Sequence, residues 1–182
     1  MIRNKSDLHE FLECDKRQLG ITRRSPRPFV DHIWKYEIIL RKYEYWINQK
    51  SVIARIMRVW YKFLFYQYSV KTGIFIGPNT CGKGLCITHM GMIQINWHSH
   101  IGENLRIQEG VTVGAGKDGA PQIGNNVYLC SGSKIIGNIR IPDNCVVGAN
   151  AVVIRDIEEE GVTVGGVPAK KISNNDSSLY IR

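Results

Sequence analysis

The sequence predicts a mainly β protein: a parallel β-helix preceded by an α-helical N-terminal segment. Three observations predict it. From Ile95 to Val153 an aliphatic residue recurs at every sixth position: Ile95, Ile101, Ile107 and Val113, then Ile123, Leu129, Ile135, Ile141, Val147 and Val153. Four positions on stands a second small or aliphatic side chain, at Ser99, Leu105, Val111, Val127, Ser133, Ile139, Cys145, Ala151 and Ile157. Between them fall Asn104, Gly110, Gly116, Asn126, Gly132, Asn138, Asn144 and Asn150. Asn and Gly tolerate a left-handed backbone, so each hexad is expected to end in a tight corner. A sixfold period suits neither a helix of period 3.6 nor an alternating strand. It suits a coil of three short faces, one hexad to a face.

Residues 1–69 carry no hexads and read as helical. Ser6-Asp7-Leu8-His9-Glu10 supplies a capping residue and an acidic first turn. Arg24-Ser25-Pro26-Arg27-Pro28 breaks that helix, and a second pattern runs from Phe29 towards Asn48, with Ile33, Tyr36, Ile39, Leu40 and Tyr43 at helical spacing. A third segment, Ser51 to Tyr68, interleaves Ile53, Ile56, Met57, Trp60, Phe63 and Leu64 with Arg55, Arg58 and Lys62. Two roles suit this basic, aromatic helix: a cap on the open end of the coil, or a peripheral contact with an anionic membrane.

Residues 70–172 read as the solenoid. It starts irregularly at Val70–Ile76, and Cys81, Ile87 and Ile93 mark faces offset from the later register. Val113 and Ile123 lie ten positions apart where six are expected, so a loop within 114–122 is extruded, and such a loop is where function concentrates. Gly165-Gly166-Val167-Pro168-Ala169-Lys170-Lys171 closes the coil, and the polar tail, 173–182, is expected to be mobile.

The chain has 182 residues, 43% hydrophobic and 22% charged, as in a globular protein with one core and an appendage. No apolar run is long enough to cross a bilayer and none resembles a signal peptide. The five cysteines are scattered without the paired spacing of a zinc site, so a cytoplasmic setting is expected, which leaves room for a place at the inner membrane surface. The net charge of +8 implies an acidic partner. The basic residues gather in the N-terminal third and form no nucleic-acid-reading motif, so no nucleic acid is expected.

The hexads, the single extruded loop and the closing Gly-Val-Pro-Ala-Lys resemble the left-handed β-helix acyltransferases. Gly82-Lys83-Gly84-Leu85-Cys86-Ile87-Thr88-His89, Gln108-Glu109-Gly110-Val111-Thr112-Val113-Gly114 and Lys134-Ile135-Ile136-Gly137-Asn138-Ile139 look more narrowly like the serine acetyltransferase branch. The left hand of the coil is implied by the resemblance, since crossover rules alone favour the opposite. So are a homotrimer and acetyl-CoA bound as acyl donor in a cleft between neighbouring solenoids.

Residue by residue, the resemblance makes His89 the catalytic base. An alcohol is a poor nucleophile until a base within reach accepts its proton, and imidazole then protonates the leaving thiolate. Gly114, Ala115, Gly116 and Lys117 are expected along the pantetheine arm. Ser131, Gly132, Ala149 and Ala151 are expected along the groove, and Lys170 and Lys171 at the ADP phosphates. Three features depart from serine acetyltransferases. Thr88 stands where they have an aspartate, Gly119-Ala120 replace an Arg-His pair before Pro121, and Ile74 falls where an aspartate orients the histidine. This pattern, with His89-Met90-Gly91-Met92-Ile93-Gln94-Ile95-Asn96, resembles the branch found with capsule and exopolysaccharide genes.

The expected activity is therefore O-acetylation of a sugar hydroxyl of a surface polysaccharide or its precursor. Thr88, Asn96, Trp97, His98 and His100 are the candidate acceptor residues, Trp97 because aromatic faces stack on sugars. The alternatives are serine O-acetylation, N-acetylation of an amino sugar, or a trimeric solenoid that is no enzyme. His98 and His100 are crowded together, unlike metal ligands spread over successive coils, and no metal is expected.

Overall fold

The computed structural model describes residues 1–182. Three helices come first: α1 (Lys5–Gln18), α2 (His32–Ile47) and α3 (Val52–Thr72). The N-cap of α1 is Asn4, not Ser6; its side chain accepts the Asp7 amide at 2.9 Å. Asp31, which precedes α2, makes no capping bond because its carboxylate is held by Arg23 and Arg27. Ser51 caps α3 through the Ala54 amide, and Gly73, at φ 72°, ends it. That left-handed stop sits one turn beyond the Tyr68 at which sequence ended the helix, so the solenoid opens at Ile74 rather than Val70.

Five coils follow, and their strands stack into three sheets. The first sheet stacks β1 (Ile74–Ile76), β3 (Ile93–Ile95), β6 (Thr112–Gly114), β9 (Lys134–Ile136) and β12 (Val152–Val153). The second stacks β4 (His100–Ile101), β7 (Gln122–Ile123) and β10 (Arg140–Ile141), with Cys81 bridged to Ile101 below them. The third stacks β2 (Cys86–Ile87), β5 (Arg106–Ile107), β8 (Tyr128–Leu129), β11 (Val146–Val147) and β13 (Thr163–Gly165), and ends in β14 (Lys170–Ser173), which pairs antiparallel to β13.

All ten lead residues of the hexads are buried, as are Ser99, Leu105, Val111, Val127, Ser133, Ile139, Cys145 and Ala151; Ile157 is partly buried. Each fully buried aliphatic side chain stabilises the fold by about 1.5–3 kcal/mol relative to exposure. Asn104, Asn126, Asn144 and Asn150, with Gly110 and Gly132, take the left-handed corners. Gly116 and Asn138 do not. Gly116 lies in the extruded loop and Asn138 in the coil stacked on it, and there Gly119 and Gly137 carry the positive φ instead. Asn104, Asn126 and Asn144 hydrogen-bond up one corner at 2.9 Å per step, from Gln18 below to Glu160 above.

A coil has an open edge of unpaired amides and carbonyls at its end, and these need partners. At the first coil the helices provide them. Tyr36 Oη accepts the Ile76 amide, Glu44 that of Asn79, Glu37 that of Ile87, and Asp15 those of Gly84 and Leu85. Arg41, fully buried, donates to the Cys81 and Gly82 carbonyls and pairs with Asp15 at 2.7 Å and Glu44 at 3.0 Å. The cap is thus α2 with α1. The helix read as the cap, α3, packs on α2 and turns Phe65 and Tyr68 towards the core.

The tail, expected to be mobile, is folded back along the third sheet. Ser177 is buried and bonded to the Asn126 and Asn144 carbonyls, Tyr180 packs on Tyr128 with centroids 4.8 Å apart, and Arg182 exchanges hydrogen bonds with Gln18.

Candidate active site

His89 sits at the corner between the third and first sheets, directly after β2. Eight positions separate Ile87 from Ile95, whereas their partners in the next coil, Ile107 and Val113, lie six apart. Two extra residues therefore swell this corner, and His89, Met90 and Met92 are exposed there. Gly91 at φ 120° and Met92 at φ 35° make the bend.

The register relates this corner to the coils above it. Ile87 pairs with Ile107, Ile107 with Leu129 and Leu129 with Val147. Counting two residues on from each puts His89, Glu109, Ser131 and Ala149 in one column along the corner. A Cβ built on Gly91 would lie 3.8 Å from Cβ of Glu109. One carboxylate oxygen of Glu109, Oε2, is buried without a hydrogen-bond partner. The Ser131 hydroxyl beside it, then a backbone amide, hold this carboxyl below the usual range; the His89 charge adds a smaller pull in the same direction. Sequence reading left the orientation of His89 unexplained. Glu109 is the carboxylate that feels the His89 charge.

A cavity of about 440 Å³ opens beside His89, between the helical segment and the first coils, lined by His32, Trp34, Thr88, Arg106 and Arg182 among others. Neither Arg106 nor Arg182 has a carboxylate partner within salt-bridge distance. A larger concavity of about 620 Å³ lies on the second sheet around His100, Gln122 and Arg140, away from the imidazole. The smaller one contains His89.

The other sequence candidates divide by face. Thr88 is beside His89, but its hydroxyl donates to the Ile107 carbonyl at 3.3 Å. Asn96 and Trp97 line a separate hollow on the first sheet with Gly114. His100 is on the second sheet, and the His98 amide closes a local turn with Asn96 Oδ1. Within one chain these four do not join His89. Ser131 and Ala149 share the corner column with Gly132 next to it, and all three are half-buried or exposed. Ala151 has no exposed surface because it is a core position of the hexad, so its side chain cannot line a groove. Ala115, Gly116 and Lys117 stand exposed on the loop, a tight turn closed by the Gly116 amide on the Gly119 carbonyl at 2.8 Å. Lys170 and Lys171 are exposed on β14, with Lys171 paired to Glu159 at 2.6 Å. No group of three or more His, Cys, Asp or Glu side chains is placed to hold a metal ion.

The coils and their repeats define a hexapeptide-repeat parallel β-helix, and residues 120–155 match the family model described as bacterial transferase hexapeptide (six repeats). A serine acetyltransferase of Staphylococcus epidermidis is 37% identical over 141 residues, 75% of this chain and 61% of the relative. The chain thus spans about three fifths of the length of that relative. A solved serine acetyltransferase in complex with CoA superposes with a TM-score of 0.73 at 25% identity, covering 92% of this chain and 71% of the other. The serine acetyltransferase of Neisseria gonorrhoeae gives 0.67 at 26%, covering 94% and 70%.

Proposed function

We propose that the chain is an acetyl-CoA-dependent O-acetyltransferase, acting on serine, with His89 as general base. The observation that carries the reading is His89 in the lining of the cavity, with Glu109 close enough for the two charges to act on each other. The imidazole takes the proton from the acceptor hydroxyl as its oxygen attacks the thioester carbonyl. The tetrahedral intermediate collapses, the C–S bond breaks, and the imidazolium returns the proton to the departing thiolate. Glu109 holds the ring in one orientation and stabilises its charged form, as a carboxylate does behind the histidine of a hydrolase triad. Direct transfer needs no covalent enzyme intermediate. The acyl donor lies along the corner of Ser131, Gly132 and Ala149, between neighbouring solenoids of a trimer.

Serine is favoured as acceptor by the names of the relatives, in place of the sugar hydroxyl that Thr88 and Ala120 suggest. The sugar remains the second reading, supported by one observation: the cavity beside His89 has the volume of a site for a ligand larger than serine. Acetyl-CoA turnover by wild type and His89→Ala, with serine, an amino sugar and neutral hexosides in parallel, tests both points. Serine is expected to be turned over, and the variant to lose about 10²–10⁴-fold. Turnover of a sugar alone reverses the acceptor, and equal rates in both variants remove His89 from the chemistry.

A further inference from the structure

From His32 to Thr72 the chain carries eight lysines and arginines against two carboxylates, Glu37 and Glu44. Both carboxylates are buried against the first coil, so α2 and α3 expose no negative side chain. On α3 the exposed residues Ile56, Val59, Trp60, Phe63, Tyr66 and Val70 recur at intervals of one, three and four, and so form one stripe. Val59 is 71% exposed and Trp60 54%. Arg55 and Lys62 run along one margin of the stripe and Lys71 lies at the other. No helix is long and apolar enough to cross a membrane.

We infer that α3 docks the protein on an anionic phospholipid surface, lying in the plane of the interface with its aromatic stripe among the acyl chains. Charge decides the occupant. Two α3 helices laid face to face would oppose cations with cations and have no carboxylate to pair them. An anionic bilayer meets the apolar stripe with hydrocarbon and its basic margins with phosphate. The inference stands apart from the catalytic proposal, since it uses none of the residues around His89.

Flotation of the full-length protein with vesicles tests it. The protein is expected to float with vesicles of phosphatidylcholine and phosphatidylglycerol, less so as salt rises, and to stay down with phosphatidylcholine alone. Arg55→Glu with Lys62→Glu should weaken partitioning about tenfold or more, and Trp60→Ser with Phe63→Ser should do so in low salt too. Unchanged thermal melting and unchanged acetyl-CoA turnover in both variants show that the fold and the site survive. Absence of flotation with anionic vesicles overturns the inference. So does a drop in oligomer size, by sedimentation velocity, when the stripe is changed, since the occupant would then be a second copy.

Discussion

At the scale of single residues the position of Glu109 makes the sharpest demand. If it orients and charges His89, Glu109→Gln should lower kcat about a hundredfold and leave the KM for acetyl-CoA unchanged. Glu109→Asp should recover much of the rate. Equal losses in kcat and in thermal stability for Gln, with no recovery by Asp, would make Glu109 a packing residue. The sequence offered little sight of this pair. His89 is legible because it closes a recognisable Gly-Leu stretch, but the Glu109 proposed to act with it is twenty positions away and comes near only through the register of β2 on β5. The swollen corner at Met90–Met92, which separates that register from the next sheet, has no periodic signature. Ala151 is hard to place for the opposite reason: it sits beside a corner, yet the hexad turns its side chain inward.

Among the elements, α2 bears the most unusual chemistry, because it carries buried acids against a sheet edge. Burial first, then the nearby Asp15 charge, pushes the Glu37 carboxyl well above its ordinary range. The sign follows from linkage. A carboxyl raised on folding contributes stability below its unfolded value, about 4.3, and loses it as pH rises through the folded value. Glu37→Gln keeps the acceptor for the Ile87 amide and removes the titration. It should melt close to wild type near pH 4 and above it at pH 8. A variant less stable than wild type at pH 8 would mean that the charged form is the one the edge needs. The coils themselves were readable because most hexads repeat one rule, an aliphatic residue inward and an Asn or Gly at the bend. The cap was not, because amphipathic spacing marks all three helices alike and only the pairing of Arg41, Asp15 and Glu44 with coil backbone distinguishes α1 and α2 from α3.

For the whole molecule, those same contacts tie the helices to the solenoid, and the two are expected to unfold as one. Arg41→Ala leaves Asp15 and Glu44 buried without their cation and the Cys81 and Gly82 carbonyls without a donor. It should cost about 3–5 kcal/mol, and chemical denaturation followed by tryptophan fluorescence and by far-ultraviolet circular dichroism should shift together. Transitions that separate would show that the helices melt independently of the coils. The upper end of the stack is finished differently. There β14 reverses direction against β13 and faces solvent with Lys170 and Lys171, so the last rung presents a backward, positively charged strand. A stack that ended on a bare parallel rung would offer the next molecule a template at each extremity, and the natural product of such templating is a filament. The reversed lysine strand above and the borrowed side chains below stop that growth in both directions, which lets a body built by repetition remain finite.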